Sequence, residues 1–380
     1  MHICFVGVDS DLGLIERDTD GLGGEAVQHG LLARAFRRKG HEVSMIVRDR
    51  GQEEECVIDG IRILKTCKQG SGIRGIRFFH PRITSWWSAM GRANADVYYQ
   101  SPAGMLTGLT ALFCKRNGRC FVFRLASDVN CIPGKQLIGL RRDRKIYEWG
   151  LRSADIIAAQ TNNQVKLLRE NYGLIGDLVS MVCDIPESPG DDVGRDIDAM
   201  WVSNIRPAKR PELFLELAAE IPDANFVMIG GASPGSEDLY QAIRSRAGTL
   251  ANVEFLGFRP NVEVNALLNR SKVFVNTSLI EGFPNTFLQA WARGVPVVTY
   301  FDPDNVISDQ QLGLSVSSFR DLEMSVRLLL VHPDRQREFG IRGRRFVTEN
   351  HQVDAVVMRY LELIKGRACP GGGKVYGSHT

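Results

Sequence analysis

The sequence predicts an α/β protein built from two doubly wound domains. Three observations predict it. The chain has 380 residues, too many for one ordinary domain. Strand-like apolar runs alternate with helix-periodic runs along most of the length, the pattern of parallel sheets covered by helices. The alternation also breaks once, at Ile185–Asp196 (IPESPGDDVGRD), where two prolines, two glycines and a run of acids mark a linker.

The first series opens with a strand at His2–Val8, a polar loop to Gly23 and a helix from Gly24 to Lys39, stopped at Gly40. Strand Glu42–Arg48 follows. Cys56–Lys65 reads as a hairpin, because Asp59-Gly60 suits a tight turn with positive φ. Val97–Gln100, Cys120–Ala126, Asp155–Ala158 and Leu178–Val182 are the later strands. The second series has strands at Asp198–Asn204, Asn225–Gly230, Val253–Gly257, Val273–Asn276 and Val295–Thr299. Helices near Arg320–Val331, Asp334–Glu349 and His351–Lys365 close it. Domains are therefore expected at 1–188 and 197–350, then a final helix at 351–365 and a disordered tail at 366–380.

An apolar fraction of 44% with 24% charged residues is globular. Met1–Val8 reads as a buried strand and not as a leader, and no apolar run nears the roughly 18 residues of a membrane span. The eight cysteines have no CxxC pairing and read as reduced thiols, so a cytoplasmic protein is expected. His29, His41, His80, His332 and His351 lack metal-ligand spacing and read as structural or solvated. Residues 1–185 hold 26 Lys and Arg against 20 Asp and Glu. That excess fits an anionic substrate or a membrane surface, and no nucleic-acid motif accompanies it.

In doubly wound sheets ligands bind beyond the carboxyl ends of the strands, so loops after strands are the candidate sites. Ser278–Pro296 (SLIEGFPNTFLQAWARGVP) is the most informative. It places Glu281 in a Gly-Phe-Pro turn that opens into a helix started by Pro284 or Asn285 and stopped at Gly294. Helix amides favour phosphate and the carboxylate accepts from hydroxyls, so an anion joined to a polyhydroxylated group fits. Gln289 lies two turns along that helix and could meet a diol, or be an ordinary polar position. After the first strand of the second series, Asn204-Ile-Arg206-Pro-Ala-Lys209-Arg210 places three cations where they could neutralise a diphosphate, or form a solvated cluster. Gly23-Gly24 would let backbone approach a phosphate, though such turns also serve packing. Asp128 stands past a strand end as an acceptor-side carboxylate or a cap. Ile73–Met90 mixes Arg74, Arg77 and Arg82 with Phe78, Phe79, Trp86 and Trp87; it reads equally as a membrane-interface segment or a core helix with solvated arginines.

Four segments together resemble the retaining glycosyltransferases of the GT-B fold, glycosyltransferase family 4. They are GGEAVQHGLLARAFRRKGHEV (Gly23–Val43), KRPELFLELA (Lys209–Ala218), FVMIGG…NVEFLGF (Phe226–Phe258) and EGFPNTFLQAWARGVPVV (Glu281–Val298). The resemblance implies two Rossmann-like domains facing a cleft, the acceptor on the first and a UDP- or GDP-linked sugar on the second, with the last helix returning to the first domain. It implies Lys209 on the donor diphosphate and Glu281 on sugar hydroxyls. Gly23, Gly24, Asn204, Arg206, Gly230, Phe258, Gly282, Phe283, Pro284, Asn285 and Gln289 would complete the donor site, and Asp128 would act toward the acceptor. Three departures stand out. Gln289 replaces the second glutamate of the E-x7-E signature, Asn204 replaces an arginine of the phosphate pair, and the first-domain histidine is missing near Ser127-Asp128. No DxD-like motif stands at a strand end, so a metal-independent, cofactor-free transfer to a glycan or polyprenyl-linked acceptor is expected, in polysaccharide or glycolipid synthesis. The epimerases and phosphorylases of this fold need cleft acids or a cofactor lysine that are not evident. A non-catalytic glycan-binding or scaffold subunit remains the alternative, motivated by Gln289 and Asn204.

Overall fold

A computed structural model describes residues 1–7, 24–68, 70–73, 76, 78–187, 194–279 and 281–367. The predicted loop through Gly23, Arg74, Arg77 and most of the predicted tail lie outside these residues.

By contacts the chain separates into two units. In unit 1 the elements are β1 (His2–Val6), α1 (Gly24–Arg38), β2 (Glu42–Val47), β3 (Glu55–Ile58), β4 (Ile61–Lys65), α2 (Thr84–Ala93), β5 (Val97–Gln100), α3 (Met105–Asn117), β6 (Cys120–Arg124), α4 (Arg141–Arg152), β7 (Ile156–Ala159), α5 (Asn162–Tyr172) and β8 (Asp177–Leu178). Its sheet runs β3-β4-β2-β1-β5-β6-β7-β8. All neighbours are parallel except β3 and β4, the expected hairpin, whose Asp59 and Gly60 sit at φ 52° and 73°.

Unit 2 holds β9 (Ile197–Val202), α6 (Pro211–Glu220), β10 (Phe226–Ile229), α7 (Glu237–Ala247), β11 (Val253–Gly257), α8 (Asn261–Asn269), β12 (Ser271–Asn276), α9 (Asn285–Ala292), β13 (Val297–Thr299), α10 (Val306–Asp309), β14 (Gly313–Ser315), α11 (Phe319–Val331) and α12 (Pro333–Asn350). Its sheet is wholly parallel, in the order β11-β10-β9-β12-β13-β14. The strand order therefore reverses between β9 and β12, the switch point at which such sheets open a crevice. The last helix, α13 (Val353–Gly366), groups with unit 1.

Two expectations need correction. The strand expected at Leu178–Val182 shrinks to Asp177–Leu178, because from Met181 the chain leaves the first sheet. The change of unit then falls between Ser180 and Met181, ahead of the acidic segment, and not at residue 188. Cys183 bridges Gln352, and Arg344 donates to the Pro186 carbonyl at 2.6 Å. The start of the expected linker is thus fastened to unit 2.

Strands buried on both faces explain the unbroken apolar runs. Burial also sets the chemistry of the thiols: Cys4, Cys131 and Cys183 are pushed up to about 12, so they stay protonated and inert. In α13, Tyr360 is buried and its hydroxyl accepts from the buried Arg124 guanidinium at 2.7 Å, tying the helix to the end of β6.

His29 of α1 is 1% exposed, with its ring 5.6 Å from Phe5 and 5.4 Å from Tyr99. Burial, reinforced by the Arg124 charge, holds it down to about 3. The Glu25 carboxylate 3.7 Å away pulls the other way, but desolvation of a fully enclosed imidazolium is the larger effect. The unfolded chain takes up this proton below about 6.5 and the folded chain only near 3. Stability is therefore lost as pH falls through that window, on the order of 1.4 kcal/mol per pH unit. We expect His29→Leu to reduce the loss of stability between pH 7 and pH 5 by about 2 kcal/mol. Denaturant unfolding at both pH values checks this, and parallel losses in the two proteins would show that another group carries the acid sensitivity.

Candidate active site

Unit 2 brings two of the candidate residues to the switch point. After β9 the chain runs to a short turn, Pro207–Lys209, and Arg210 takes a left-handed conformation (φ 46°) before Pro211 starts α6. After β12 it passes Thr277 and Ser278 to Glu281. The two strand ends are stitched together by Thr277, whose hydroxyl accepts from Trp201 Nε1 at 2.9 Å and donates to the Lys209 carbonyl at 2.6 Å. Arg210 Nε donates to the Thr277 carbonyl at 2.7 Å.

That stitching fixes Lys209 Nζ against Glu281 Oε1 in an ion pair whose side chains are only 12% and 14% exposed. Burial pulls the Lys209 ammonium below the usual lysine range. Glu281 opposes this and the nearby Arg206 adds to it. A partly desolvated cation beside a carboxylate, with neighbouring amides at the start of α9, can meet an anion and a hydroxyl within one pocket.

The Glu281 turn is held from below. Gly282, Phe283 and Pro284 are buried, and Phe283 packs against His351 at 5.4 Å and Trp291 at 6.3 Å. Pro284 precedes the first helical residue, Asn285, in extended conformation, as a proline at a helix entrance should. Gly294 ends the segment at φ 66°. The predicted turn, helix and stop are all present.

Gln289 is engaged sideways. Its Nε2 donates to Asn261 Oδ1 at 2.5 Å and to Asn265 Oδ1 at 3.1 Å, both on α8. Gly230 needs to be glycine, because a Cβ there would collide with the Ser203 carbonyl. Asn204 is half-buried and Arg206 exposed. Phe258 packs beside Gly231, and its carbonyl accepts from Arg259 at 2.9 Å.

Two sequence candidates are engaged within the protein itself. The Arg210 guanidinium lies over the Tyr300 ring at 4.2 Å and holds the Thr277 carbonyl. Asp128 is not the cap of its turn. Ser127 and Asn130 fill that role, and Asp128 Oδ2 accepts from Asn163 at 2.7 Å. Asp128 belongs to unit 1, whereas Gly24, the first residue of α1, groups with unit 2, where a Cβ on it would run into the Asn285 side chain. Lys209 and Glu281 pair in unit 2, which also holds Gln289; Gly23 lies outside the described residues. Sequence reading missed Trp201, Thr277, Asn261 and Asn265. A Trp inside a strand and a Thr after one carry no motif, and the α8 asparagines look like surface residues.

Two Rossmann-like units, the second with a Lys-Glu pair at its switch point, define a GT-B fold. The chain belongs to the glycosyl transferases group 1, matching the Glycosyltransferase Family 4 model over residues 22–183 and the group 1 model over residues 192–346. It is 28% identical over 216 residues to a GDP-mannose-dependent alpha-(1-6)-phosphatidylinositol monomannoside mannosyltransferase of Mycolicibacterium smegmatis, which covers 53% of this chain and 51% of that protein. The chain spans about half the length of the curated relatives it matches. Sucrose-phosphate synthase from Thermosynechococcus elongatus superposes with a TM-score of 0.76 at 16% identity, covering 96% of this chain and 98% of that one. HepE of Anabaena, in complex with UDP and glucose, gives 0.74 at 14%, covering 96% and 100%. These structures share the fold.

Proposed function

We propose that this protein transfers a hexose or related sugar from a nucleoside-diphosphate sugar to a glycan or lipid-linked acceptor, with retention at the anomeric carbon. The observation that carries the reading is the buried Lys209–Glu281 pair beside the start of α9. Family membership supports the reaction class. The mannosyltransferase and HepE, by their names, use GDP-mannose and bind UDP, so either base is open to a relative of this fold.

In the proposed reaction Lys209 leaves Glu281 for the donor diphosphate, and Glu281 accepts from hydroxyls of the sugar. The bond between the anomeric carbon and the diphosphate oxygen breaks, and an oxocarbenium-like centre develops. Lys209, Arg206 and the α9 amides take the charge that builds on the leaving phosphate. The acceptor hydroxyl attacks from the face being vacated and passes its proton to the departing phosphate oxygen, which retains configuration. Side-chain cations supply the electrostatics, so EDTA should leave the rate unchanged.

Calorimetric titration with UDP-, GDP- and ADP-sugars tests the site. One donor should bind at micromolar affinity. Glu281→Ala should weaken it about tenfold or more, the loss of one or two hydrogen bonds to a charged acceptor. No binding to any donor would replace this reading with a non-catalytic glycan-binding subunit.

A further inference from the structure

The expected aromatic-basic segment divides in the structure. Trp86, Ala89 and Met90 of α2 are core, and Trp87 packs on Phe113 at 5.1 Å. The residues before the helix behave differently. Phe78 packs against the unit 1 core, while its neighbour Phe79 is 64% exposed and Ile76 is 60% exposed. The same division recurs ahead of α4, where Ile138 packs inward and Leu137 and Leu140 are 87% and 57% exposed. Both segments belong to one surface, because the Arg142 guanidinium of α4 lies 3.5 Å over the Phe78 ring, and that ring is 5.1 Å from Phe79.

The exposed charges of α4 have one sign. α4 buries Asp143, Tyr147, Gly150 and Leu151 and turns Arg141, Arg142, Lys145, Trp149 and Arg152 outward. Asp143 is 7% exposed and paired with Arg142 and Arg82. Glu148, half-buried, accepts from the Gly134 amide and from Gln136.

We propose that this face of unit 1 docks on an anionic lipid bilayer. The surface combines exposed aliphatic and aromatic side chains with a row of cations, and a bilayer interface receives both: hydrocarbon just below, phosphate at the level of the guanidinium groups. A soluble polyanion uses the cations and leaves Phe79, Leu137 and Leu140 in water. No helix among the described residues is long and apolar enough to cross a membrane, so the contact is peripheral. The inference does not depend on the proposed reaction, because lipid binding is read without donor or acceptor.

Co-sedimentation of the full chain with vesicles tests it, using phosphatidylcholine alone and phosphatidylcholine mixed with phosphatidylglycerol. We expect binding to the anionic vesicles, weakened by salt. Arg141→Gln with Lys145→Gln should lower that partition about 30-fold, the effect of two surface cations. Phe79→Ser with Leu137→Ser should lower it about tenfold while leaving binding to heparin unchanged. All four side chains are exposed, and circular dichroism confirms that the variants fold. Absence of vesicle binding, equal binding to neutral vesicles, or partition unaffected by the Phe79 and Leu137 changes would overturn the proposal; the last, with heparin binding retained, would make the face a polyanion site.

Discussion

Lys209→Met should lower the rate of the proposed sugar transfer by roughly a hundred- to a thousandfold, the range seen when one group that stabilises developing negative charge is removed. Donor affinity falls less, because the charge on the leaving diphosphate grows toward the transition state. The substitution also leaves Glu281 facing a methyl group in a pocket where it is 14% exposed. Breaking a buried pair by removing one partner costs about 3–5 kcal/mol when fully buried, and somewhat less here. The double variant Lys209→Met/Glu281→Gln separates the two effects. It should recover most of the lost stability and none of the rate, since neither an unpaired charge nor the phosphate cation is then present. Steady-state kinetics and thermal unfolding of the three variants check this. Recovery of rate in the double variant would reduce Lys209 to a structural partner of Glu281.

The pH dependence gives an independent reading of the same residue. Burial sets the Lys209 ammonium below its ordinary 10.5. If the charged form is required, kcat/KM falls on the alkaline side at a lower pH than an exposed lysine would give. Stability moves in the opposite direction. Between the folded value and 10.5 the unfolded chain holds the proton and the folded chain has released it, so stability rises with pH across that window. Loss of activity with unchanged or improved stability on the alkaline side is the expected signature.

Gly150→Ala is expected to have a large effect on stability outside the site. α3 and α4 cross at two glycines, and a Cβ at Gly150 would lie 2.6 Å from both Gly108 Cα and Gly108 N and 2.7 Å from the Thr107 carbonyl carbon. These are backbone atoms, so no rotamer change relieves the collision. Either the helices separate, opening voids along the contact, or α4 shifts and strains Tyr147, whose hydroxyl donates to the Asn130 carbonyl at 3.0 Å. Overpacking of this kind costs about 3 kcal/mol or more. For a unit of this size that corresponds to a fall of roughly 6–12 °C in Tm. Gly139→Ala is the control, since nothing lies within 4 Å of its Cβ position and it should change stability by under about 0.5 kcal/mol. A Gly150→Ala protein melting within a degree or two of the parent would show that α4 slides freely over α3.

Much of the architecture was legible because periodicity and punctuation are local. The Asp59-Gly60 hairpin, the entrance at Pro284–Asn285 and the stop at Gly294 each depend on backbone preferences of the residues that stand there. Family membership was legible for the same reason, since Lys209 and Glu281 each sit in a short contiguous stretch of sequence. The strand at Leu178–Val182 was misread because Val179, Met181 and Val182 are buried, yet only part of that run pairs with the first sheet. Apolar character reports burial and not the partner.

The sequence by itself determined the two α/β series, the strand-end loops that carry the charged residues, and the basic, aromatic character of Ile73–Met90. Only the tertiary structure decided how those residues divide their labour. Lys209 and Arg210 are neighbours with similar charge, but the left-handed Arg210 turns its guanidinium to Thr277 and Tyr300 while Lys209 meets Glu281. Phe78 and Phe79 are identical in type, and one packs inward while the other is exposed. Asn261 and Asn265 acquire a role only because α8 lies against α9 and offers their carbonyl oxygens to Gln289. In each case the deciding interaction joins segments distant in the chain, and hydrogen bonds and desolvation act over a few ångströms of space whatever the separation in sequence.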